Sequence, residues 1–120
     1  SVNKATVRCV PSLFARNERL VTVFETQVGP MALIMVGALC VSGIETVWDG
    51  GIPRPPATDV QNKVYGESGP VISFQKGDEI GRFNMGSTVI LLFGVDQIQW
   101  AETVQFETKV QMGQLLAQKK

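Results

Sequence analysis

The stretch Val21-Thr22-Val23-Phe24-Glu25-Thr26 repeats with a period of two, and only an extended strand puts successive side chains on opposite faces. A nearly unbroken apolar run follows at residues 31–41, then Glu45-Thr46-Val47-Trp48, with Gly29-Pro30 and Ser42-Gly43 between them. Strand formers separated by turn formers predict a meander of antiparallel strands. Val71-Ile72-Ser73-Phe74, Ile80-Gly81-Arg82-Phe83, residues 88–95 and residues 104–108 read as further strands, and Asp96-Gln97-Ile98-Gln99-Trp100 alternates in polarity. Residues 12–20, with Ser12 as N-cap and Leu13, Phe14 and Ala15 behind it, suit at most one short helical turn. The expected class is all-β, with short antiparallel strands in a small barrel or sandwich.

A chain of 120 residues holds one domain and is too short for two with separate cores. Residues 1–120 are therefore expected to form a single domain. The longest irregular stretch, residues 49–70, carries Asp49-Gly50-Gly51 and a proline-rich segment, and reads as a surface loop with a short strand near residues 60–65. A strand, a Gly-centred turn and a second strand occur around Lys76-Gly77-Asp78 and again around Met112-Gly113-Gln114. Two such copies suggest an internal repeat of the kind found in lipoyl and biotinyl carrier folds.

Composition removes several function classes. Charged residues make up 18% of the chain and Lys+Arg balances Asp+Glu at 11 each, which leaves no basic footprint for nucleic acid. The apolar run at residues 31–41 falls well short of the roughly 20 residues a spanning helix needs. Cys9 and Cys40 stand far apart and the chain contains no histidine, so no zinc site of the usual Cys/His pattern can form and no metal is expected. Both cysteines read as free thiols of a reducing compartment.

Gly86-Ser87-Thr88 separates a turn-rich hairpin from a run of strand formers. Taken alone, the triplet reads as a tight turn feeding a strand. It is accompanied by Asn17-Glu18-Arg19, Val28-Gly29-Pro30-Met31-Ala32, Val36-Gly37-Ala38 and Lys76-Gly77-Asp78-Glu79-Ile80-Gly81. In that order and spacing the chain resembles the catalytic part of bacterial phosphatidylserine decarboxylases, over nearly its whole length. Met85 stands where family members commonly carry Leu before Gly-Ser-Thr, a volume-conserving change.

The resemblance implies that Ser87 attacks the carbonyl of Gly86, that the chain is cut between Gly86 and Ser87, and that Ser87 becomes a covalent pyruvoyl group. Gly86, the most permissive residue, suits a bent and exposed peptide bond. The ketone would form a Schiff base with the amine of phosphatidylserine and yield phosphatidylethanolamine and CO2. The cut chains are expected to remain associated, and a second copy of the chain is a candidate partner. Membrane contact is expected through a segment outside this sequence, which places the enzyme peripherally on the cytoplasmic side of the cell membrane. Self-cleavage in the family is assisted by a histidine with an acidic partner, both upstream of the block that begins here. The chain is therefore expected to be an incomplete part of the enzyme, inactive in isolation.

Other readings stay open. Asn17-Glu18-Arg19 is read first as a structural ion pair or turn and second as a guanidinium fork for a substrate phosphate or carboxylate. Asp49, Asp59, Asp78 and Asp96 read as solvated turn residues, a position Asp favours, and Trp48, Trp100, Phe74, Phe83 and Phe93 as core. The rival for the whole chain is a non-catalytic β carrier or hybrid-motif module, although Lys76 and Lys109 lack the flanks of a modified carrier lysine. A pyruvoyl decarboxylase of a free amino acid would share the serine chemistry but not the flanking blocks.

Overall fold

The computed structural model describes residues 4–38, 43–51, 59–67, 69–85 and 88–120, without the side chains of Lys4 and Thr6. Strands dominate the regular structure, in keeping with the all-β reading. Two short helices, α1 (Lys4–Cys9) and α2 (Leu13–Arg16), precede eight strands: β1 (Arg19–Thr26), β2 (Gly29–Val36), β3 (Ile44–Thr46), β4 (Gly50–Gly51), β5 (Gly81–Phe83), β6 (Thr88–Phe93), β7 (Ile98–Trp100) and β8 (Ala117–Lys119). They form sheets of order β1-β2-β6, β4-β3-β5 and β7-β8. The chain divides into two compact units, residues 1–20 with 35–88 and residues 21–34 with 89–120.

In the first unit, α1 forms where the sequence pattern placed no element. Ala5 and Arg8 favour helix, and the helix stops at Cys9 because Pro11 disfavours helical geometry at the residue before it. The single expected helical turn is α2. Ser12 occupies its N-cap position in left-handed geometry, φ 55 and ψ 33, and makes no side-chain cap, because a capping hydroxyl requires an extended backbone at that residue. The other end is closed instead by Arg19, whose Nη2 donates to the Phe14 carbonyl at 2.7 Å.

Among the described residues the buried hydrophobic side chains are Leu13, Met35 and Ile44, joined by Thr46. Ile44, 1% exposed, contributes about 1.5–3 kcal/mol by leaving water. It lies in β3, which pairs antiparallel with β4 and with β5, setting Ile44 opposite Phe83, Glu45 opposite Arg82 and Thr46 opposite Gly81. A further bond from Val47 N to the Ile80 carbonyl, 3.1 Å, extends that ladder. Residues 60–65 and 71–74, expected as strands, belong to none. Aromatic packing takes the place of a ladder there: Trp48 meets Phe74 at 5.5 Å and Tyr65 edge-on at 6.4 Å.

In the second unit, the β1–β2 connection lies at Gln27 and Val28, and the predicted separator Gly29-Pro30 opens β2. Thr26 Oγ1 accepts from Val28 N and donates to the Gly29 carbonyl, which closes the turn, and Pro30 is tolerated near the start of a strand. β7 and β8 pair antiparallel, and Phe93 packs edge-on against Trp100 at 6.0 Å.

Residues 104–108 are a turn and not the expected strand. Three turns share one geometry: the backbone N–H of Asp78, Thr108 and Gln114 donates to the carbonyl three residues back, on Gln75, Gln105 and Gln111. The side chain of each closing residue accepts in return from the backbone N–H of that glutamine. Positive φ at the third position, Gly77, Glu107 and Gly113, lets the chain fold back. The Gly-centred turns recur, with β5 and β8 after them, but the strands expected just before them do not form.

Candidate functional site

Gly86 and Ser87 lie outside the described residues. The chain on both sides of them is described: β5 leads through Asn84 and Met85 towards them, and β6 begins directly after them at Thr88.

The approach from β5 is tightly held. The β3–β5 register sets Glu45 opposite Arg82. Arg82 donates from Nε to Glu45 Oε2 at 2.9 Å, and Nη2 lies 2.7 Å from the same oxygen. The other carboxylate oxygen, Oε1, accepts from Asn84 Nδ2 at 3.0 Å. The hydrogen bond from Asn84, then the hydrogen bond and charge of Arg82, hold the Glu45 carboxyl below the usual range. Backbone contacts reinforce this clamp. Asn84 N donates to the Gly43 carbonyl at 2.9 Å, and a Cβ on Gly43, whose φ is +126, would stand 2.7 Å from Asn84 Nδ2. Only glycine admits the Asn84 side chain there.

A second polar cluster lies in the same unit. Asp49 Oδ2 accepts from Lys63 Nζ at 2.8 Å and from the Tyr65 hydroxyl. Those donors lower the Asp49 pKa, and the shared bonds raise those of Lys63 and Tyr65. Trp48, Val64, Tyr65, Pro70 and Ile72 line an open groove beside it.

The family model described as phosphatidylserine decarboxylase matches residues 1–118. The chain belongs to the phosphatidylserine decarboxylase family. It is 50% identical over 119 residues to the phosphatidylserine decarboxylase proenzyme of Pseudomonas fluorescens (strain Pf0-1), covering 98% of this chain and 41% of that protein. The proenzyme of Pseudomonas putida (strain GB-1) matches to the same extent. That of Saccharophagus degradans is 48% identical over 118 residues, 98% of this chain and 41% of its own. The chain thus spans about two-fifths of the length of the curated relatives it matches.

The other predicted features of this phosphatidylserine decarboxylase family chain resolve into local roles. Arg19 of Asn17-Glu18-Arg19 directs its guanidinium at the carbonyls of Phe14 and Asn17, a local structural contact. Asn17 Oδ1 and Glu18 Oε1 are buried and have no partner among the described residues. Asp49 is taken by Lys63 and Tyr65, Asp78 caps Gln75 N, and Asp96 pairs with Lys120 at 2.7 Å. Asp59 is exposed. Among the described residues no group of His, Cys, Asp or Glu could hold a metal ion, and no helix is long and apolar enough to cross a membrane.

Glu45, which clamps Arg82 and Asn84 ahead of the candidate site, is a residue that sequence reasoning did not single out. It sits in the three-residue strand β3 and pairs with residues 37 and 39 positions away. An acidic residue in one short strand and a basic one in another are a usable signal only once the register is known.

Proposed function

We propose that this chain is the part of a pyruvoyl-dependent phosphatidylserine decarboxylase that carries the self-cleavage site, between Gly86 and Ser87, and that the whole enzyme converts phosphatidylserine to phosphatidylethanolamine and CO2. The observation that carries this reading is the identity of about half the residues, along nearly the entire chain, with relatives named as decarboxylase proenzymes.

Ser87 Oγ attacks the Gly86 carbonyl carbon, giving up its proton to a base. The amide bond breaks, an ester forms, and the Ser87 amino group is freed. Loss of the Ser87 Cα proton then expels the Gly86 carboxylate and leaves dehydroalanine, and water replaces its nitrogen, released as ammonia, to give the pyruvoyl group. The chain contains no histidine, so an imidazole base would come from the remainder of the protein.

The residues present suit a group made from the chain itself. Gly43 and Gly81 admit close backbone packing ahead of the site, and Thr88 begins a strand in the β1-β2-β6 sheet. Such pairing would keep the new end in place and the two cut chains associated. A pyruvoyl group supplies a ketone beside an amide carbonyl, which takes up the substrate amine and the electrons freed as the carboxylate departs. Contact with the cytoplasmic face of the cell membrane, through another segment, would deliver the lipid. Self-association is a further expectation.

The test is the denatured intact mass of the full-length protein and of its Ser87→Ala variant, with mass spectrometry of phosphatidylserine vesicles after incubation. Two pieces meeting between Gly86 and Ser87, the smaller with a pyruvoyl end, and phosphatidylethanolamine formed only by the unsubstituted protein, are expected. An uncut, folded, inactive full-length protein would overturn the proposal in favour of a non-catalytic β module.

A further inference from the structure

We infer that Glu45 is a positioning residue for self-cleavage, acting through Asn84 on the chain that leads into Gly86-Ser87. The inference rests on the proposed cleavage at Ser87.

Attack by Ser87 on its own peptide bond needs a backbone geometry that an unconstrained chain would leave. Costly local geometry persists only where the surroundings over-determine it. On one side β6 begins at Thr88 and lies next to β2. On the other, β5 has only three residues, too few ladder bonds to fix the chain beyond its end. The additional constraint comes from side chains. Glu45 binds Asn84 with one oxygen and Arg82 with the other, so its carboxylate ties the strand to the residue that follows it. Asn84 is also bonded through its backbone to Gly43 and packed where only glycine leaves room. Two residues span at most about 7 Å, so the place where Asn84 is held limits how far the following chain can stray.

The same geometry makes Glu45 a poor proton acceptor. Arg82 engages one carboxylate oxygen through Nε and Nη2, Asn84 donates to the other, and these donors lower the carboxyl pKa. The contacts suit a residue that holds the chain.

The experiment follows cleavage of the full-length protein by intact mass over time, for the unsubstituted protein and the variants Ser87→Ala, Glu45→Ala, Glu45→Gln, Asn84→Ala and Glu45→Ala/Asn84→Ala, with the thermal midpoint of each. Glu45→Ala and Asn84→Ala are expected to slow cleavage by about tenfold or more, and the double variant no further, because the two act as one unit. Glu45→Gln keeps the volume and one acceptor for Asn84, so it should fold and cleave at an intermediate rate. A merely stabilising Glu45 would lower the midpoint without this non-additivity or graded rescue. Cleavage of folded Glu45→Ala or Glu45→Gln at the unsubstituted rate, or additive effects in the double variant, would overturn the inference while leaving the proposed function standing. An unsubstituted protein that stays whole would overturn both.

Discussion

Gly81 lies so close to the backbone of Glu45 that a Cβ at residue 81 would stand 2.5 Å from the Glu45 carbonyl oxygen and 3.3 Å from Met35 Sδ. Neither the carbonyl of a paired strand nor a buried Met35 can withdraw freely. Gly81→Ala should cost about 1–3 kcal/mol through overpacking, seen as a lowered thermal midpoint. Gly69, where a Cβ meets nothing within 4 Å, is the control. Gly69→Ala should stay within about 1 kcal/mol and lean towards stabilising, because it restricts the unfolded chain.

The Glu45 clamp predicts an acid-side loss of stability. The folded-state pKa lies below the ordinary 4.5, so the contribution is fully present above that value and is lost as pH falls through the folded-state pKa. Thermal midpoints measured downwards from pH 6 should fall more steeply for the unsubstituted protein than for Glu45→Gln. Parallel curves would count against the clamp.

Glu107 holds φ 61 at the turn position that Gly77 and Gly113 occupy in the two sister turns. A non-glycine residue pays for left-handed geometry. Glu107→Gly should therefore raise stability or leave it unchanged, by up to about 1 kcal/mol, while Gly113→Ala should lower it by about 1 kcal/mol. Chemical denaturation of the two variants checks the opposite signs.

Asp49 accepts the Tyr65 hydroxyl proton in a hydrogen bond, and this raises the Tyr65 pKa. Asp49→Asn should bring the phenol back towards its ordinary value. A difference titration of phenolate absorbance between the two proteins should show one tyrosine ionising at lower pH in the variant. The Lys63 ammonium, whose pKa is raised chiefly by its hydrogen bond to Asp49, should titrate earlier as well.

Local features of the sequence were legible where the physics is local. Period-two patterning located β1, an apolar run at residues 31–41 overlapped β2, a run of strand formers located β6, and glycine between polar turn residues located the turns at Gly77 and Gly113. The same reasoning failed at residues 71–74 and 104–108, which carry strand-forming residues but belong to no strand. Strand formation needs a partner at the right distance, and Trp48 for Phe74, or Thr108 for Gln105, offered a competing local contact. The helix at Lys4–Cys9 was missed because its weak propensity is overridden or confirmed only by what surrounds it.

What the sequence by itself determined is the strand-rich class, several turn positions, the absence of any histidine, and membership of the phosphatidylserine decarboxylase family through motifs that end in Gly86-Ser87-Thr88. Each is a property of residue types and their spacing. What only the tertiary structure decided is which distant residues meet: Glu45 with Arg82 and Asn84, Gly81 with the Glu45 carbonyl, and Arg19 with the end of α2. Pairing across 37 and 39 residues depends on strand register and loop closure, which no local pattern encodes.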